Sequence, residues 1–128
     1  MSYHFSKGVD LPFEDAVARV TEELGKEGFG VLTDIDVRAT LKKKLGLEFR
    51  KYRILGACNA PFAHQALTIE DKIGVLLPCS VIVQEHETGR VEVSAVDPMS
   101  SMQGVGNPGL KDLGEKVAAA LKKVIEAV

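Results

Sequence analysis

The sequence has no long uninterrupted hydrophobic run: Lys7, Asp10, Glu14 and Asp15 already break up its N-terminal region. A signal-peptide core and a membrane-spanning helix are therefore not expected, and a cytoplasmic protein without a membrane partner is the default. It lacks a basic excess. Sixteen Lys and Arg stand against eighteen Asp and Glu, a net charge of −2, which removes the electrostatic footprint of a general nucleic-acid binder. Cysteine is scarce too, with only Cys58 and Cys79. Two cysteines without an export signal point to free thiols rather than a structural disulfide. There is no Gly-x-Ser-x-Gly elbow, no His-Glu-x-x-His and no Walker loop, and three scattered histidines offer no triad. Nothing in the chain demands a hydrolase.

What is present is the composition of one folded domain spanning residues 1–128. Of its 128 residues 45% are hydrophobic and 27% charged, enough to bury a core without staples. The period of two through Tyr3 and Phe5 predicts a first strand over Met1 to Val9. Asp10 is placed to cap a helix over Pro12 to Glu27, whose apolar face is Phe13, Ala16, Val17, Val20 and Leu24. From Phe29 the period returns to two. Val31, Thr33, Ile35 and Val37 are read on one face of a second strand, with Leu32, Asp34 and Asp36 on the other. Asp34 and Asp36 could form an acid pair, but capping and solvation account for them more simply. A short helix from Asp36 to Leu45 stops at Gly46, with Lys42 to Lys44 on its wet side.

A third strand is expected over Arg50 to Ala57, then a short helix over Pro61 to Leu67 with His64 and Gln65 turned from the core. A fourth strand over Val75 to Glu85 is broken at Pro78 and joined through His86 to Gly89 to a fifth through Val91, Val93 and Ala95. Asn107 caps a last helix over Pro108 to Ala127, with Leu110, Leu113, Val117, Leu121 and Val124 in its stripe. The fold class that follows is α+β: an antiparallel sheet of about five strands with two main helices on one face and two short helices besides.

Chemistry would concentrate where the cysteines sit. Cys58 lies where a strand gives way to a helix, and Cys79 follows Pro78 at the start of another strand. Cys58, His64 and Cys79 together would suit zinc or another soft metal with one open position. The two thiols alone would suit redox or thiol chemistry. The plain alternative is that both cysteines are small core residues and His64 a surface one. Gly104 to Gly109 matches the dinucleotide-binding pattern, yet no further strand follows its helix, so a capped loop is the simpler reading. N–H groups near Leu110 could still hold a small anion, with Met99 and Met102 as an adaptable lid.

The run Arg53-Ile54-Leu55-Gly56-Ala57-Cys58-Asn59-Ala60-Pro61, with Leu76-Leu77-Pro78-Cys79 and Ala95-Val96-Asp97-Pro98, resembles the bacterial and archaeal family known as domain of unknown function 302. That family commonly has Cys-Asn-Pro, where this chain has Ala60 before Pro61. The resemblance implies a fold similar to half of the TATA-box-binding protein and a homodimer, and it implies no activity. A fold carries no function by itself, so DNA binding does not come with it.

Dimerisation has an independent argument. If Phe29, Val31, Ile35, Val81, Val83, Val91 and Val93 face the helices, alternation puts Leu32, Ile82, Val96 and Leu55 on the opposite face, which a second copy would cover. The expected function is thus a homodimeric module with a pocket for a small molecule or soft metal ion near Cys58, Asn59, Pro61, His64 and Cys79. The alternative is a thiol-dependent redox protein or enzyme using Cys58 and Cys79, and no cofactor is named by the sequence.

Overall fold

The structure, a computed structural model, describes residues 2–128. The first strand, β1, spans His4–Val9, so Met1 of the expected strand lies outside the described residues. Helix α1 (Phe13–Lys26) buries the expected stripe and also Glu23, which Lys26 holds at 2.8 Å. Asp10 does not cap it: Pro12 occupies that position and no side chain closes the turn, while Asp10 reaches Arg90 at 3.5 Å. Strand β2 (Gly30–Asp36) leads into α2 (Val37–Leu45), capped by Asp36 and ended by left-handed Gly46 as the sequence indicates. Then come β3 (Tyr52–Cys58), α3 (Ala60–Ile69), β4 (Cys79–Glu85), β5 (Val91–Val96), the single turn α4 (Pro98–Ser101) and α5 (Lys111–Ala127). The expected fourth strand is shorter by its first residues, because Val75 and Leu76 belong to a 3-10 turn over Ile73–Leu76.

All five strands form one antiparallel sheet in the order β1-β5-β4-β3-β2. Helices α1 and α5 pack on one face of it, as the period changes predict. Between them and the sheet lies the main core, which includes Val20, Leu24, Leu55, Val81, Val83, Val93, Leu121 and Val124. Removing any one of the larger of these side chains should cost ~2–5 kcal/mol. The end of α5 is held down by cations. Lys7 Nζ donates to the Glu126 carbonyl at 2.9 Å and Arg19 to that of Ala127 at 3.0 Å, where the helix dipole is negative. A second, smaller cluster of Ala66, Ile73, Leu110 and Leu113 fixes α3 beyond the sheet.

The expected assignment of faces needs two corrections. The pairing of β2 with β3 shifts register between Val31 and Thr33, so Thr33 and Ile35 oppose Gly56 and Ile54 while Asp34 opposes Leu55. That bulge turns Ile35 away from the helices, leaving it 47% exposed. Leu55 moves the other way: it opposes Val81 under the helices and is 1% exposed. The face away from the helices therefore presents Ile35, Ile54, Ile82 and Val96 interleaved with Ser6, Ser80, Ser94, Gln84 and Glu92.

Candidate functional site

Asn59 shapes the segment around the first cysteine. Its Oδ1 accepts the Phe62 N–H at 3.3 Å, capping α3, while its Nδ2 donates to the Glu27 carbonyl at 3.3 Å. One side chain thereby starts a helix and fastens it to the turn after α1. Gly28, at φ +84°, lies against that amide, so a side chain there would strain the backbone and press on Asn59. Pro61 falls in the first turn of α3, where a missing N–H costs nothing, so Ala60 is accommodated simply as the first helical residue.

Between this segment, α3, α5 and the start of β4 lies an apolar cavity. Its walls include Phe29, Ala57, Phe62, Ala63, Met102 and Leu113, with Cys58, Asn59 and Cys79 as the groups able to do polar chemistry. The space open to the centre of a water molecule is about 30 Å³, room for a water or two. Met102 is a half-buried member of the wall, and its unbranched thioether is suited to giving way to a larger guest. Met99 and Met102 also border a more open crevice with Gly106, Asn107 and Lys111 alongside. The contributions of α5 and of Met102 to these walls were not read from the sequence.

The predicted residues divide. Cys58, Asn59 and Cys79 all contribute to the cavity wall, as does Pro78. Both thiols are free. Cys79 is 8% exposed, and burial, with a smaller contribution from Cys58 nearby, pushes its thiol up to about 11. Ala57, not Cys58, stands opposite Cys79, and Cys58 pairs with Gly30 at the strand end. Cys58 is the last residue of β3, where the strand gives way to α3, and it lines the same cavity as Cys79, close enough to act on its charge. His64 is exposed on α3 and takes no part in the cavity, and Pro61 stays outside its wall. Among the described residues no three His, Cys, Asp or Glu side chains converge as a metal-binding group. The expected trio of Cys58, His64 and Cys79 is thus not assembled, because α3 turns the imidazole outward while both thiols stay at the cavity.

Other sequence candidates resolve into structural roles. Asp34 is held by Arg53, whose hydrogen bonds keep the carboxyl below its usual range, and Asp36 caps α2. In the glycine-rich loop, the Gly109 N–H donates to Asn107 Oδ1 and the Leu110 N–H to the Asn107 carbonyl. Asn107 also reaches back to the Ile69 carbonyl and Glu70. Those two N–H groups are satisfied within the loop, which counts against the anion reading. On the open face His4 Nδ1, Ser6 Oγ and Ser94 Oγ form a chain at 2.6 and 2.7 Å. It borders a shallow concavity of about 430 Å³ that also includes Tyr52, Ile82, Gln84 and Glu92.

A family model described as domain of unknown function DUF302 matches residues 5–128. No curated protein matches the chain. Among solved structures it is similar to the crystal structure of an uncharacterized conserved protein DUF302 from Bacillus stearothermophilus. The two share 26% identity and superpose with a TM-score of 0.93, over 99% of this chain and 98% of that one. No helix among the described residues is long and apolar enough to cross a membrane.

Proposed function

The chain belongs to the family of domain of unknown function DUF302, and from that premise we propose that it is a non-catalytic, homodimeric module that holds a compact apolar ligand in the cavity beside Cys79. The observation that supports this reading is the character of that cavity. Its wall is carbon and sulfur apart from Asn59, and both ends of the Asn59 amide are already engaged by Phe62 and Glu27. A site of that kind selects by shape and apolar contact, and it has no acid, base or activated nucleophile for chemistry. Its size favours a ligand of a few carbon atoms, admitted by movement of Met102. A soft metal fits less well, since among the described residues no third ligand joins the two thiols.

The second copy belongs on the open face of the sheet. There Ile35, Ile54, Ile82 and Val96 lie among hydroxyls and amides, a mixture suited to a two-fold interface with hydrogen bonds across it. The alternative, a thiol-dependent redox protein or enzyme, would use Cys58 and Cys79 on that same wall, and burial that keeps the Cys79 thiol protonated weakens it as a nucleophile.

A screen of short-chain alcohols and ketones by thermal shift tests the ligand reading. Compounds of about four to six carbons should raise the melting temperature of the native protein and leave Ala63→Leu, which fills the cavity, unmoved. Equal shifts in both proteins would refute the assignment of the site.

A further inference from the structure

Charge is unevenly distributed along this chain. Residues 37–51 carry six basic side chains and one acidic one, net +5, whereas the other 113 residues carry ten against seventeen, net −7. That segment is α2 and the turn after it. Helix α2 has no buried residue at all, so its position in the fold is not explained by a core. At left-handed Gly46 the chain reverses, leaving Leu45 64% and Leu47 53% exposed next to Lys43 and Lys44. Lys42 is neutralised by Glu48, and Arg50 is tied to Gln84 and lies over the Phe49 ring at 4.4 Å. Lys43, Lys44 and Lys51 make no ion pair among the described residues.

We infer that this tip, Arg38 to Lys51, docks on the surface of an anionic lipid bilayer. Two leucines projecting from a turn ringed by lysines combine the two terms of peripheral membrane attachment: apolar insertion at headgroup depth and attraction to anionic lipid. Nucleic acid would use the lysines and leave the leucines without a role. An acidic peptide would need a groove, and neither the cavity beside Cys79 nor four further concavities of the surface take a wall from residues 37–51. A projecting tip matches a flat partner. The remaining net charge of −7 would be repelled by the same membrane, which orients the molecule tip-first.

The test is co-sedimentation of the full chain with vesicles of phosphatidylglycerol and phosphatidylcholine, or of phosphatidylcholine alone, at low and high salt. Binding is expected to the anionic vesicles only and to fade with salt. Replacing Lys43, Lys44 and Lys51 with Gln should weaken it by roughly a hundredfold. The pair Leu45→Ser and Leu47→Ser should weaken it by about tenfold, while Lys116→Gln with Lys122→Gln on α5 leaves it unchanged. Circular dichroism confirms that each variant is folded. No binding to anionic vesicles overturns the inference. So does binding that ignores the leucines and is matched by duplex DNA, which makes the tip a general polyanion surface. A change of sedimentation coefficient in the leucine variant also overturns it, marking the tip as a contact between copies.

Discussion

Ala57 and Cys79 stand directly opposite each other across β3 and β4, and both turn to the cavity beneath the helices. Cys79 is buried there, whereas Cys58, at the end of β3, is half-buried on the same wall. Alkylation under native conditions should therefore modify the half-buried Cys58 first and leave Cys79 protected until the protein unfolds. Mass spectrometry of partly alkylated protein reads this directly. A Cys58–Cys79 disulfide formed under mild oxidation would restore the redox reading.

Burial of Cys79 makes stability depend on alkaline pH. The native thiol, at about 11 against an ordinary value of 9.0, keeps its proton where the unfolded thiol has already lost it. Stability contributed this way is complete below pH 9 and is lost as pH rises towards 11, amounting to about 3 kcal/mol at most. Urea unfolding of native protein and Cys79→Ala across that range should give curves that converge as pH rises. Parallel curves would place the thiol in a wetter environment.

Asn59→Ala should cost about 1–2 kcal/mol, because it removes a helix cap and the tie to Glu27 in one step. Asn59→Asp keeps the cap acceptor and loses the donor to the Glu27 carbonyl, so it should recover only part of the loss. Urea midpoints of the three proteins check the order.

Gly56 has no room for a side chain. A Cβ there would collide with Thr33 Oγ1 and lie 2.8 Å from Pro78 Cγ, so Gly56→Ala should destabilise by about 1–3 kcal/mol. The double variant Gly56→Ala with Thr33→Ser should remain destabilised, since the hydroxyl that crowds the position is retained, and calorimetry of the pair checks this.

For the open face, Ile82→Lys should yield soluble monomer or precipitate, whereas the native chain should sediment as a dimer at micromolar concentration. A native monomer would remove the homodimer from the proposal.

The fold was legible because its elements announce themselves locally. A period of two in β4 and β5, the stripes of α1 and α5, and the Asp36 to Gly46 frame of α2 all use short-range rules. The face assignment of β2 was not legible, because the shift between Val31 and Thr33 is a property of pairing with β3 that no residue in Gly30–Asp36 marks. Leu55 followed the same error, its true face being set by Val81. Of the site, Cys58, Asn59 and Cys79 were reachable from their strand ends. Met102, Leu113 and Gly114 were not, because only tertiary packing brings them to the wall that Cys79 shares. Asn59 as a cap is readable in its spacing, an Asn two residues before a proline.

The central claim is that the cavity beside Cys79 receives an apolar ligand, and methyl-labelled methionine NMR measures it most directly. As cyclopentanol is added, the Met102 methyl resonance should shift along a saturating curve, Met99 should follow weakly, and Ala63→Leu should abolish both responses. A Met102 shift that grows linearly without saturation, or that persists in Ala63→Leu, would contradict it.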